Sequence, residues 1–355
     1  MSSTNKKKKV TFDDIAKYTG FSKTTISRYF NAPDSLTLEN QEIISNALAN
    51  LDYKENKVAR ILANGNTEFI GIVVPNLQNH YYSEMLNQIL LTYDRFGYKF
   101  LVFVGNEQEE AERKYIQELL AYNIEGLIVL SFTLPSRELA DLQIPVVTIE
   151  REDRFVCSVN TDNYMGGVQA TSLLAKHNCD ILIHINSTAT TQELPSYGRI
   201  QGFLDICEEK KLNHRLIYAP LGSTFEEMHK SLSEVLEELD ADYPGQKKGI
   251  FVSGDTHANI LLNLLIRKYG SLPEDYLIVG FDDSPISREA VFPITTVGQQ
   301  IDKMAYEAVS LLVEQMNERK KRSPVPLQEP IHKVITPILF RRETTEKTSS
   351  DKKSG

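Results

Sequence analysis

From Phe69 onward, short apolar runs alternate with longer amphipathic stretches, and this alternation constrains the fold more than any other feature. The first series reads FIGIVV (69–74), FLVFV (100–104), GLIVL and PVVTI (145–149), with helical spacing near 83–96 and 108–122. A second series reads ILIHI (181–185), RLIYA (215–219), GIFVS (249–253) and LIVGF (277–281), each with a helix nearby. Short apolar strands separated by helices build parallel sheets through βαβ units. Two series imply two doubly wound halves. A helix near 302–318, carrying Met304, Ala308, Leu311 and Leu312, and a last run, TPILF (336–340), suggest three crossings between the halves. In such sheets a ligand lies outside the carboxyl ends of the strands, here in the cleft between halves.

The segment Val10–Asn31, VTFDDIAKYTGFSKTTISRYFN, has a different texture. Thr11 suits a helix cap, with Asp14 as its capping-box partner. Ile15, Ala16 and Tyr18 give this helix a small apolar face, and Gly20 suits a left-handed turn. Ser22 then caps a second helix, Lys23 to Phe30, whose Ile26 and Phe30 point inward. Lys23, Thr24, Thr25, Ser27 and Arg28 remain outside, donors of several lengths with no acid among them. A recognition helix needs short donors at its first turn to reach base edges in the major groove. The spacing alone also fits a helical hairpin with a solvated polar face. A third helix starts at Thr37, with Ile43, Ile44, Ala47, Leu48 and Leu51 as its apolar face. Asn56 and Gly65 bracket about two helical turns, too few to be stable alone.

Charge divides the chain in the same place. Residues 1–65 hold ten Lys/Arg against seven Asp/Glu, a net of +3; the other 290 hold 29 against 41, a net of −12. An acidic protein with a basic head fits a polyanion bound through the head alone. Lys6–Lys9 reads as a flexible arm that adds phosphate contacts at most. No run of 18 apolar residues appears and no apolar stretch follows the basic start, so a cytoplasmic protein without membrane contact is expected. Cys157, Cys179 and Cys207 show no metal or redox spacing and read as free thiols. Neither a G-x-S-x-G nor a Walker A pattern is present, and no metal or cofactor is expected. Carboxylates abound, so a glycosidase-like pair stays open from sequence, although a DNA-binding head fits an enzyme poorly.

The Val10–Asn31 segment resembles the N-terminal module of the lactose/galactose-repressor family of bacterial regulators. Asp14, Ile15, Ala16, Gly20, Ser22, Thr25, Ser27, Arg28 and Asn31 fall in register, while Thr19 and Phe21 depart from the usual alanine and valine. The resemblance implies an N-terminal all-α helix-turn-helix head (10–55) and a hinge helix (56–66). It further implies an α/β core (67–342) of the type I periplasmic-binding-protein kind, with two parallel-sheet subdomains. Operator DNA is then met by Thr11, Ser22, Lys23, Thr24, Thr25, Ser27, Arg28 and Asn31, and by hinge residues Asn56, Lys57, Ala59 and Leu62. The leucines of a dimer's paired hinges wedge into the minor groove.

Further elements carry the resemblance through the core. They are PNLQNHYY (75–82), Glu150-Arg151, Thr161-Asp162-Asn163, SYGRIQGF (196–203), Ser253-Gly254-Asp255, GFDD (280–283) and TTVGQ (295–299). They imply a sugar or sugar-phosphate effector held by Tyr81, Tyr82, Glu150, Asp162, Arg199, Asp255, Asp282 and Gln299, with Phe225 as a further wall. Carboxylates accept from vicinal hydroxyls, a guanidinium donates two parallel bonds and an aromatic ring covers an apolar sugar face. Gly254 departs from the small polar residue common there. The tail 343–355 has no apolar residue and is expected to be disordered. Lactose-repressor-type tetramers use a C-terminal leucine heptad, which is absent here, and the resemblance implies a homodimer. The alternatives are a sugar-binding or sugar-processing protein, and a catabolite-control regulator with a protein corepressor.

Overall fold

A computed structural model describes residues 10–54, 66–105, 108–151, 154–187, 192 and 194–346. The arm, the tail beyond Glu346 and the hinge residues Asn56, Lys57, Ala59 and Leu62 lie outside the described residues. Two units divide between Asn66 and Thr67.

The first unit is a three-helix head: α1 (Phe12–Thr19), α2 (Lys23–Asn31) and α3 (Leu38–Asn50). Thr11 and Asp14 form the expected capping box, and Gly20 ends α1 at φ 74°. Ser22 Oγ accepts from the Thr25 N–H and starts α2. Ile15, Ile26 and Ile44 are fully buried at the centre. Each contributes about 1.5–3 kcal/mol by leaving water. Phe30 stacks on Phe12 with ring centroids 5.2 Å apart. Tyr18 and Ile43 are exposed rather than inward. On so short a bundle only one stripe per helix is covered, and each sits at its edge.

The second unit has two six-stranded sheets. The first contains β1 (Phe69–Val74), β2 (Lys99–Val104), β3 (Gly126–Val129), β4 (Val146–Ile149), β5 (Cys157–Thr161) and β11 (His332–Ile335) in the order β11-β5-β4-β3-β1-β2. The second contains β6 (Ile181–Ser187), β7 (His214–Ala219), β8 (Lys248–Val252), β9 (Tyr276–Asp282), β10 (Thr295–Gly298) and β12 (Ile338–Phe340) in the order β12-β10-β9-β8-β6-β7. All pairings are parallel except β10 with β12. The chain passes between sheets after β5, after β10 and after β11, the three crossings that the alternation implies.

Helices that position the site are α4 (His80–Leu91), α5 (Glu109–Ala121), α6 (Asn163–Lys176), α7 (Tyr197–Glu209), α8 (Phe225–Asp242), α9 (Asp255–Tyr269) and α10 (Ile301–Arg319). Met304, Ala305, Ala308 and Leu312 of α10 fill the core of the first lobe. A Cβ on Gly167 or Gly202 would run into the backbone of Arg199 and Tyr164, so these glycines let α6 and α7 touch. The tail departs from expectation at its start: Thr344 and Thr345 are buried. The Thr344 hydroxyl donates to the Ile278 carbonyl and accepts from the Thr295 N–H. Hydroxyls that bond to backbone tie down a segment that has no apolar side chain.

Candidate functional site: an interlobe cleft and a helix-turn-helix face

The carboxyl ends of β1, β4, β8 and β9 converge on one constellation. Glu150 follows β4 with φ 57° and is 5 % exposed. Its Oε1 accepts from the Thr161 N–H, and its Oε2 accepts from Asn163 Nδ2 at 2.9 Å. Asn163 Oδ1 in turn accepts from Arg199 Nε at 2.7 Å. The guanidinium also donates to the Ser253 carbonyl at 2.6 Å, lies 3.6 Å from Glu150 and stacks 3.6 Å above the Phe281 ring. Two of its five N–H groups are thereby hydrogen-bonded, and the fork stays fixed beside a carboxylate.

Asp282 closes the other side. Its φ of 116° is a strained backbone position of the kind stored at functional sites. Burial pushes its carboxyl up to about 7 against the pull of Arg199. Gln299 Nε2 donates to Asp282 Oδ1 at 2.6 Å while its Oε1 accepts from the Thr161 hydroxyl. Gln299 thus ties the two sheets together where the chain crosses. Tyr81 is 7 % exposed, and its hydroxyl has no hydrogen-bond partner among the described residues. Burial holds that phenol well above its ordinary range, and the Glu150 and Asp282 carboxylates push the same way. Tyr82 meets it edge-on at 5.3 Å.

Three expected effector residues sit elsewhere. Asp162 caps α6 through the Met165 N–H and lines a groove with Tyr197, Gln201 and Val334. Its neighbour Asn163 faces Arg199 instead. A helix-capping carboxylate turns back on its own helix, which leaves the next residue to reach outward. Asp255 has no exposed surface; Ser284 and Thr296 donate to its two oxygens, and it organises the floor beneath the cleft. Phe225 is 54 % exposed on His229 rather than a wall, although its N–H donates to Gln78 Oε1 of the opposite lobe. Asp283 accepts from Ser287 Oγ and from the Arg342 guanidinium.

On the head, Ser22, Lys23, Thr24, Arg28 and Asn31 are exposed along α2. Lys23 meets Asp13 at 2.6 Å on the open surface, a contact worth at most about 1 kcal/mol. Thr25 shares a hydroxyl bond with Ser22, and Ser27 accepts from Asn31. Thr11 and Ser22 are engaged as caps. No group of three or more metal-ligating side chains occurs among the described residues.

A helix-turn-helix unit and a two-lobed core with a polar cleft define a ligand-responsive DNA-binding regulator. The model of periplasmic binding proteins and the sugar-binding domain of the LacI family matches residues 67–230, and a periplasmic-binding-protein-like domain matches 171–336. The ribose operon repressor of Halalkalibacterium halodurans is 27 % identical over 336 residues, covering 94 % of this chain and 97 % of that protein. The sucrose operon repressor of Streptococcus mutans is 26 % identical, covering 86 % and 92 %. The lac repressor dimer bound to operator and an anti-inducer superposes with a TM-score of 0.75 at 20 % identity, covering 95 % and 99 %. The chain belongs to the lactose/galactose-repressor family of transcriptional regulators.

Proposed function

We propose that the chain acts as a homodimeric repressor of carbohydrate-use genes, with operator affinity set by a sugar bound between its lobes. The observation that carries this reading is the Glu150–Asn163–Arg199 chain facing Asp282 and the unpartnered Tyr81 hydroxyl. Alternating acceptors and donors beside aromatic rings match vicinal hydroxyls on a ring with one apolar face. Uncharged sugars fit better than phosphate esters, because two carboxylates face the space and Arg199 already lies beside one of them. Curated relatives named as ribose and sucrose operon repressors support the ligand class. No helix among the described residues is long and apolar enough to cross a membrane.

Selection of genomic fragments on the full chain, followed by operator titrations with and without sugars, tests the reading. Retention of no palindromic site would overturn it. Arg199→Ala is expected to abolish the sugar response while operator affinity stays near that of the parent. Unchanged sugar affinity in calorimetry would make Arg199 a structural ion pair instead.

A further inference from the structure

Glu150 enters the cleft from a backbone position that a glutamate does not adopt unaided. Its φ of 57° is left-handed. Such a conformation persists at a residue with a side chain only where its surroundings over-determine it. Within the turn, the Glu150 N–H donates to the Val159 carbonyl at 3.1 Å, and the Thr148 hydroxyl donates to the Arg151 carbonyl at 2.6 Å. The Arg151 side chain adds a longer reach. Its guanidinium donates to the Ser131 carbonyl at 3.3 Å and to the Leu134 carbonyl, so it spans the loop that follows β3. Glu112 of α5 meets the same loop: it is buried and accepts from the Ser131 hydroxyl. Burial raises the Glu112 carboxyl, while Thr133, Arg151 and the Leu134 N–H pull it down. The loop therefore lies between an anion and a cation, each bonded to Ser131. Glu150 turns instead to Thr161 and Asn163, so adjacent residues of one turn serve the cleft and its support.

We propose that Arg151 is a positioning residue for effector binding: clamped across the loop after β3, with Glu112 as its counter-charge, it holds the turn that aims Glu150 at Thr161 and Asn163. This rests on the carbohydrate reading above, in which the Glu150 carboxylate accepts from sugar hydroxyls. A planar guanidinium suits the task because its fork reaches two carbonyls at once, whereas an ammonium is a point donor. Without the clamp the turn is free to leave its left-handed conformation. Glu150 then shifts relative to Asn163 and Arg199, which stand on α6 and α7. A hydroxyl bond to a carboxylate is directional, so a small shift of the acceptor weakens sugar binding although no group that touches sugar has been removed.

Two measurements on the full chain test this. The Thr161 N–H donates to Glu150 Oε1, so its hydrogen exchange, followed by NMR, reports the place of the carboxylate without any sugar. Calorimetry with D-ribose, D-glucose, D-fructose, D-galactose and sucrose reports affinity. Arg151→Met should speed exchange at Thr161 about tenfold while the amides of β1 and β3 stay within about twofold, and should weaken the sugar that binds about tenfold. Arg151→Lys, which keeps the charge but holds one carbonyl at a time, should move both readouts the same way by a smaller factor, and it carries the test if the methionine variant does not fold. Exchange that rises equally across the sheet, or sugar affinity equal to the parent's, makes Arg151 a structural anchor only and overturns the proposal. A parent that binds none of the five sugars overturns the carbohydrate reading and this inference with it, an outcome seen before any variant is made.

Discussion

At the scale of single residues, the cleft is built from groups held under electrostatic tension. Asp282 is the clearest case. Its carboxyl ionises near 4 in an unfolded chain and is pushed up to about 7 in the fold by burial. Between those values the folded state holds more protons than the unfolded state. Stability contributed by this group is therefore present at low pH and falls as pH rises from about 4 to about 7. Asp282→Asn removes the titration, so its stability should fall less across that window. At pH 8 its stability relative to that at pH 4.5 should exceed the parent's. Asp255, raised in the same direction, leaves a residual slope. Urea melts at pH 4.5, 6 and 8 check this; parallel curves for parent and variant would remove the idea. The same residue shows what was legible. GFDD and SYGRIQGF point to Asp282 and Arg199, which lie in one cluster, whereas the sequence reading selects Asp162 and the cluster holds Asn163, one position away. Choosing between adjacent residues needs the direction of each side chain at a helix start, and sequence spacing does not carry it.

At the scale of elements, legibility follows apolar content. Strands such as β1 and β8 read directly as FIGIVV and GIFVS. The strands β5 and β11 did not, because CSVNT and HKVI are too polar for the pattern. They form because their polar groups find partners: Ser158 Oγ bonds with His332 Nδ1, and Asn160 Nδ2 donates to Ser158 Oγ. Such pairing is tertiary, between segments 174 residues apart, and leaves no local signal. The head is the opposite case. Its caps, turn glycine and the isoleucines Ile15, Ile26 and Ile44 are local signals, and each is found where the sequence places it. The exposed first turn of α2 then yields a prediction. Thr24 is exposed and makes no side-chain bond among the described residues, so Thr24→Ala should cost about 1–3 kcal/mol on the preferred half-site and change which bases are preferred. Binding arrays on operator variants check this. An equal loss on every variant would assign Thr24 to phosphate contact or to none.

At the scale of the whole molecule, function requires that cleft closure and DNA affinity share free energy. Within the core, closure has identifiable contacts: the His80 N–H donates to Thr256 Oγ1, the Thr256 hydroxyl donates to Asn79 Oδ1, and the Phe225 N–H donates to Gln78 Oε1. Thr256→Val deletes the first two and, at about 0.5–1.5 kcal/mol for each bond, disfavours this closure by about 1–3 kcal/mol. A ligand that needs the closed form then binds about 5- to 160-fold more weakly, since it must supply that difference. If closure also sets operator affinity through the segment 56–63, the same variant changes operator binding even without ligand. Leu62→Ala separates the two effects. It removes the expected minor-groove wedge, so specific DNA binding should fall while sugar affinity stays within twofold of the parent. Linkage supplies the decisive number: the factor by which sugar changes operator affinity must equal the factor by which operator changes sugar affinity, about 5- to 150-fold for a coupling of about 1–3 kcal/mol. Titrating each ligand in the presence of the other measures both factors. A Thr256→Val protein that loses sugar affinity yet keeps the parent's operator affinity in both conditions would show that this closure does not transmit the signal.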